Sequence, residues 1–340
     1  MGYTLTTCKK LVDNGAEVHI FHWDHKKLSE YNPTNSKGIF LYKRSRNNYK
    51  SIKSFILKID PDLIVVSGWM DKTYLRLANY FKKENIITIC ALDSVWNGSI
   101  KQRIYSFFSK LGFLDLFFSK FWIPGIPQYN FLKNLGINDE KIIYDFYSAD
   151  TDMFGNAYKN NEIKKLKKYP HKFLFVGRFT KVKGIDSLAN SWKELQNLGH
   201  DWELILIGNG DYFSKIIELP NVKIKDFLQP TDLIKEIEKA GCFILPSIYE
   251  PWGVVVHEFS AAGCPLILSN DIGAKSTFLI DGFNGYSFEH NIDNSSMIKA
   301  MKKIINKTDK DLIKMSRNSH KISRKISPNS SAKNLISVLK

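Results

Sequence analysis

The 340-residue chain is poor in cysteine. It has four, Cys8, Cys90, Cys242 and Cys264, and no two form a CxxC pair. Three of them sit in apolar runs, which points to buried thiols in a reducing compartment rather than to disulfides or a zinc site. Acid is scarce relative to base: 49 Lys and Arg face 34 Asp and Glu, and 49 − 34 = +15. Such an excess attracts polyanions, whether nucleic acid, anionic lipid or phosphorylated small molecules, and does not choose among them. The lysines are scattered through many loops and helices rather than interleaved with aromatics on one face, so nucleic acid is not the expected partner. There is no charged segment followed by a short apolar one, and no run of eighteen apolar residues, so neither export nor a membrane span is indicated. The expected location is therefore intracellular. The start "MGYTLT" fits the loose myristoylation pattern at Gly2 and Thr6, but nothing else looks like a lipid anchor. Two phosphate fingerprints are also missing. "GNGD" (208–211) is followed by Phe213 where GxGxxG needs a small residue, and "GAKS" (273–276) lacks the spacing of a P-loop.

What is present is an alternation of β-rich apolar runs with helical patterns, the signature of parallel βαβ units. The length favours two domains of roughly 150 residues each. In the second half the expected strands are "FLFVG" (173–177), "ELILIG" (203–208), "VKIK" (222–225), "CFILP" (242–246) and "PLILS" (265–269). Helices are expected near 184–197, 231–240, 253–262 and 273–280. The first half is less clear, with a helix over 5–14 and strands "EVHIFHW" (17–23), "DLIVVSG" (62–68) and "IITICAL" (86–92). A parallel lobe normally begins with a strand and a glycine turn, whereas this chain opens on a helix. The expectation is a first lobe (1–154) that lacks its first strand or starts late. Residues 155–172, "GNAYKNNEIKKLKKYPHK", read as a polar linker, 173–326 as the second lobe and 327–340 as a terminal helix.

In open parallel sheets ligands bind beyond the carboxyl ends of the strands. After "FLFV" comes "GRFTKVKG", in which Gly177 and Gly184 bracket Arg178, Lys181 and Lys183. A glycine turn admits a ligand close to the backbone, and the cations suit phosphate; a solvated basic loop would look the same. After "CFILPS" comes "YEPWGVVVHEFSAAGCPL", with Glu250 in the loop and Glu258 about a turn into the next helix. The amides of Gly253, Val254 and Val255 at that helix start favour an anion. Carboxylates on either side suit sugar or ribose hydroxyls, although Glu258 could also serve only to complement the helix dipole.

These junctions together resemble the retaining glycosyltransferases of GT-B fold, family 4 (glycosyl transferases group 1). The motifs are "GRFTKVKG", "LIGNGD" and "PSIYEPWGVVVHEFSAAGCPLILSNDIGAKSTFLIDGFNGYSF", in the family's order across about 170–290. The resemblance implies an α/β GT-B fold, two Rossmann-like doubly wound lobes facing a central cleft. It implies a metal-independent hexosyl-type transferase whose donor is a UDP- or GDP-linked sugar, with no other cofactor, and whose acceptor is a glycan or lipid-linked glycan, in surface polysaccharide assembly. Carried over, it makes Arg178 and Lys183 the cations on the donor diphosphate, with Gly177 and Gly208 in the strand-end turns. Glu250 would take the donor sugar and Glu258 the ribose. Gly253, Val254 and Val255 would hold phosphate, and Asp226, Phe227 and Leu228 would edge the base.

The chain departs from the family in two places. Where many relatives carry a histidine, "ICALDSVWNG" has Leu92 before Asp93, so Asp93 is the substitute candidate for the acceptor or the donor sugar; a strand-end turn aspartate would look the same. Tyr147 and Ser148 replace the usual Asn-Gly between the lobes. The aromatic segment 104–124 is interrupted by Lys110, Asp115 and Lys120; it is too broken to span a bilayer but suited to lie on one, at the inner face of the cell membrane. An acceptor wall or ordinary packing would use it equally well. The alternatives to an enzyme are a catalytically silent sugar-nucleotide-binding protein and a basic nucleic-acid-binding protein.

Overall fold

A computed structural model describes residues 2–24, 36–197 and 199–339. It divides into two compact units, residues 1–148 with 328–340, and residues 149–327.

In the first unit the order is α1 (Gly2–Asp13), β1 (Val18–His22), β2 (Ile39–Lys43), α2 (Tyr49–Ile59), β3 (Leu63–Ser67), α3 (Lys72–Lys83), β4 (Ile87–Ala91), α4 (Ile100–Lys110), β5 (Lys120–Trp122), α5 (Ile126–Asn134) and β6 (Ile142–Ile143). The strands form a parallel pair β1-β2 and a separate parallel sheet β3-β4-β5-β6. Asn48 and Ser51 close a capping box that starts α2, and Asp71 caps α3 by accepting from the amides of Thr73 and Tyr74. Ile89, Cys90 and Phe121 are buried in the central strands, as parallel strands covered on both faces should be. Helix α4 is inverted: its buried residues are Ser106 and Ser109, while its large apolar side chains face outward.

The second unit runs α6 (Thr151–Lys167), β7 (Lys172–Val176), α7 (Ile185–Gln196), β8 (Glu203–Ile207), β9 (Val222–Lys225), α8 (Pro230–Ile237), β10 (Cys242–Leu245), α9 (Val254–Ala261), β11 (Leu266–Ser269), α10 (Lys275–Phe278), β12 (Gly285–Phe288), α11 (Ser295–Ile305) and α12 (Asp309–Ser323). Its sheet is parallel, in the order β12-β11-β10-β7-β8-β9. The core is aromatic: Trp192 and Trp202 are fully buried, and Phe243 of β10 stacks on Phe259 of α9 with centroids 3.9 Å apart. The last helix, α13 (Pro328–Ile336), belongs to the first unit, where Ala332 and Leu335 pack with Leu11.

Both units are α/β with parallel sheets, as expected. The five expected strands of the second unit are all present, and β12 joins them. Residues 155–172 differ from the expected linker: most of them continue α6, whose N-terminus Asp150 caps through the Met153 amide, and which buries Phe154, Ala157, Tyr158, Asn161 and Lys165. Those positions recur at three, four and seven residues, so the lysine-rich stretch is the outer face of a packed helix. The second unit begins at Ala149.

Candidate functional site

The chain runs β7, β8, β9 outward to one side of β7, then crosses to the other side to lay down β10, β11 and β12. This reversal places a switch point between β7 and β10, where the loops that follow the two strands leave in opposite directions, and ligands of such sheets bind beyond the carboxyl ends of the strands there. The loop after β7 is Gly177 to Gly184; the loop after β10 carries Glu250 and ends at Gly253, where α9 starts.

Backbone hydrogen bonds tie the loop after β7 to the β10 loop on one side and to the end of β8 on the other. The Ile248 amide donates to the Val182 carbonyl at 2.8 Å, the Phe179 amide to Asn209 at 2.8 Å, and the Gly177 amide to Ile207 at 3.0 Å. The approach is close enough to require glycine: a Cβ on Gly208 would overlap the Gly177 carbonyl oxygen, and one on Gly184, which has φ +67°, would overlap the Pro246 carbonyl. Glycine in this unit therefore brings the strand ends together.

On this floor the Lys183 ammonium forms an ion pair with the Glu250 carboxylate, both side chains largely withdrawn from water. Arg178, exposed, lies five residues before Lys183 on the same loop. Gly253 precedes α9, so the first amides of the helix, including those of Val254 and Val255, point beyond its N-terminus. Glu258 is the fifth residue of α9 and is partly buried. Burial, and secondarily the charge of Asp150, pushes its carboxyl up to about 7. Asp226, Phe227 and Leu228 follow β9, the edge strand, which β8 separates from β7; Asp226 and Phe227 are exposed and Leu228 is half-buried. The structure thus gathers Gly177, Lys183, Gly208, Glu250 and Gly253 at the switch point, with Glu258 on the helix that leaves it.

Sequence reasoning missed what holds α9 in place. His257 is fully buried; its Nδ1 accepts from the Ala149 amide at 3.0 Å, and its Nε2 donates to the Ser323 carbonyl at 2.9 Å. Burial depresses its pKa to about 4, so the ring is neutral and uses both nitrogens as a strut. The partners lie 108 and 66 residues away along the chain, beyond the reach of any local pattern.

Asp93 lies in the first unit, just past β4, also at a carboxyl strand end. The Tyr147 hydroxyl donates to its Oδ2 at 3.3 Å, and the Gln128 amide donates to its main-chain carbonyl at 3.1 Å. Burial, then the negative charge of Asp93, raises the Tyr147 pKa far enough to keep the phenol a donor. Tyr147 therefore holds the Asp93 carboxylate by its hydroxyl. The four cysteines are buried as free thiols. Among the described residues no cluster of His, Cys, Asp and Glu has the makings of a metal site, and no helix is long and apolar enough to cross a membrane.

The second unit thus sets a cation–carboxylate pair and a helix N-terminus at the switch point of a parallel α/β sheet. Known proteins narrow the class further. Residues 158–322 match the family model described as Glycosyl transferases group 1. Among curated relatives, the glycogen synthase of Mycobacterium tuberculosis is 31% identical over 125 residues, 35% of this chain and 30% of that protein. The capsular polysaccharide biosynthesis glycosyltransferase CapM of Staphylococcus aureus is 24% identical over 313 residues, 85% of this chain and 80% of that one. The chain thus spans about a third of the length of the first of these. Among solved structures, sucrose-phosphate synthase from Thermosynechococcus elongatus superposes with a TM-score of 0.77 at 15% identity, over 99% of this chain and 91% of that one. HepE of Anabaena, in complex with UDP, gives 0.71 at 16% identity, over 99% and 94%. The fold is the α/β, parallel-sheet fold of GT-B glycosyltransferases.

Proposed function

We propose that this protein is a retaining, family-4-type glycosyltransferase that moves a hexosyl group from a UDP- or GDP-linked sugar to a glycan or lipid-linked acceptor in surface polysaccharide assembly. The observation that carries the reading is the convergence, at one switch point, of the Lys183–Glu250 pair and the N-terminus of α9, with Glu258 five residues into that helix. The group 1 match across this unit and the capsular relative support it, as does the UDP bound by the structurally similar HepE.

In this reading the donor diphosphate takes Lys183 and Arg178 and the amides of Gly253, Val254 and Val255. Glu250, released from Lys183, accepts from donor-sugar hydroxyls; Glu258 accepts from the ribose; Asp226 to Leu228 edge the base. Cleavage of the bond to the sugar develops negative charge on the leaving diphosphate. Two cations and a helix N-terminus, fixed before the reaction, stabilise that charge with protein groups alone. The acceptor hydroxyl attacks from the leaving-group side and passes its proton to the departing diphosphate oxygen, so configuration is retained and the two glutamates do not act as a glycosidase acid and nucleophile. Asp93, oriented by Tyr147, contacts the acceptor or the donor sugar.

The test is thermal stabilisation by UDP-, GDP- and ADP-sugars, comparing the native protein with Glu258→Ala and Arg178→Ala. A ligand at a hundred times its Kd should stabilise by about 2.7 kcal/mol. One nucleotide class should raise the Tm of the native protein, and both variants should lose the shift. If no nucleotide sugar raises the native Tm, the donor site is refuted; donor binding without turnover on any glycan acceptor would instead favour a silent binding protein.

A further inference from the structure

Helix α4 and the turn after it carry more exposed apolar surface than an unpartnered segment should. Ile100 is 78% exposed, Phe107 62% and Leu111 70%, and Ile104, Tyr105, Phe108, Phe113 and Leu116 are also open to solvent. The small polar residues Ser106 and Ser109 face the core instead, and the Ser106 hydroxyl donates to the Asn134 carbonyl. A helix that only had to pack would present its faces the other way round. Patches of this kind mark an interaction surface.

Basic residues are set into the same surface. Lys101, Arg103 and Lys110 are exposed on α4, against Asp115, which Lys141 neutralises at 2.6 Å; over residues 100–116 the balance is 3 − 1 = +2. The apolar strip leads into a cationic cleft. Phe113 meets Phe117 edge-on at 5.3 Å, and Phe117 lines a cavity of about 350 Å³ together with Tyr49, Arg76, Asn79, Tyr80 and Lys83. The Asn79 amide donates to the Leu116 carbonyl at 2.8 Å, which fixes the cleft against the end of the strip. Arg76 and Lys83 are exposed, and no carboxylate lines the cleft among the described residues.

We propose that this face docks on an anionic lipid bilayer: the side chains of Tyr105, Phe107, Phe108, Leu111 and Phe113 enter the headgroup boundary, and the Arg76–Lys83 cleft receives a lipid phosphate. Apolar rings flanked by lysines are the composition of a segment that lies in the interface plane, and an eleven-residue helix is too short to do more. Charge selects this occupant over a second copy of the chain, because two +15 chains meeting through their basic strips would repel. The proposal does not depend on the glycosyltransferase reading, since it is tested by binding alone.

The experiment is sedimentation of the full chain with vesicles of phosphatidylcholine alone and of equimolar phosphatidylcholine and phosphatidylglycerol. Two variants are compared, Phe107→Ser/Phe108→Ser/Leu111→Ser and Arg76→Ala/Lys83→Ala; all five positions are exposed, and unchanged melting confirms that each variant folds. The native protein should prefer the anionic vesicles, with binding falling as salt rises. The triple variant should lose about 100-fold or more in partitioning. The double variant should lose about 25-fold on anionic vesicles and nothing on neutral ones. Equal sedimentation of native and triple variant overturns the proposal. So does a native protein that ignores vesicles and instead elutes as a dimer that the triple variant abolishes. If the double variant binds anionic vesicles as the native does, the cleft is not a headgroup site and the proposal fails in that part.

Discussion

If Glu258 holds a ribose as a carboxylate, donor affinity must follow pH in a way that one side chain controls. Without a donor bound, burial holds its pKa at about 7. A carboxylate accepting two hydroxyl hydrogen bonds returns to the ordinary range of about 4.5 or below. The bound state therefore holds fewer protons than the free one, and affinity rises with pH through this window. With those two values, Kd should weaken about tenfold from pH 8 to pH 6, and about 25-fold by pH 5.5. Binding should release about 0.9 proton at pH 6 and about 0.5 at pH 7. Isothermal titration calorimetry in buffers of different ionisation heat reads both quantities. A nucleotide sugar is the right ligand, because its diphosphate diester does not titrate over this range. Glu258→Gln keeps the shape and a hydrogen-bond acceptor and should give weaker, pH-independent binding. A flat profile for the native protein, or an unchanged slope in Glu258→Gln, refutes the argument.

Three further outcomes are expected. In the ligand-free protein Glu258 and His257 oppose each other: the raised Glu258 pKa gives stability that is full below pH 4.5 and lost as pH rises through 7, while the depressed His257 pKa gives stability that is full above 6.5 and lost as pH falls towards 4. Each spans up to about 3 kcal/mol, so Glu258→Gln should lower Tm on acidification from pH 7 to 5 more steeply than the native chain does; identical Tm profiles would refute the pairing. Gly184→Ala, strained at φ +67° and overlapping the Pro246 carbonyl, should destabilise by about 3 kcal/mol in urea unfolding, and a change under 1 kcal/mol would count against the close approach of the two loops. Lys183→Met leaves Glu250 without its cation and should weaken donor binding about 100-fold, whereas Lys181→Met, on the exposed side of the same turn, should change it less than threefold; equal losses would mean only general charge attraction.

The parts of the fold that could be read from the sequence are those where local pattern and burial agree. Strands β7, β8, β10 and β11 are covered on both faces, so they appear as unbroken apolar runs between glycines and turn residues. Strands β5 and β6, of three and two residues, are too short to show any period, and β12 starts on a glycine that would otherwise signal a turn. Helix α6 was hidden because Asn161 and Lys165 occupy its buried face, which breaks the apolar stripe. At the candidate site the strand-end motifs located Lys183, Glu250 and Glu258, but no one-dimensional pattern could show that Lys183 pairs with Glu250 across 67 residues or that Tyr147 reaches Asp93 across 54. Nor could the aromatics of 104–116 reveal that serines turn inward beneath them. Composition reports how much apolar surface a helix has, and the fold decides which side carries it.

In the Lys183–Glu250 pair each charge already has an opposite neighbour. An anion that captures the ammonium leaves the carboxylate stranded, and a neutral sugar that takes the carboxylate strands the ammonium. A molecule that brings phosphate and hydroxyls together replaces both halves of the pair at once. If the proposed donor binds there, the pair works as a two-key lock, one in which inorganic phosphate and free hexose would be poor competitors for the compound that carries both groups.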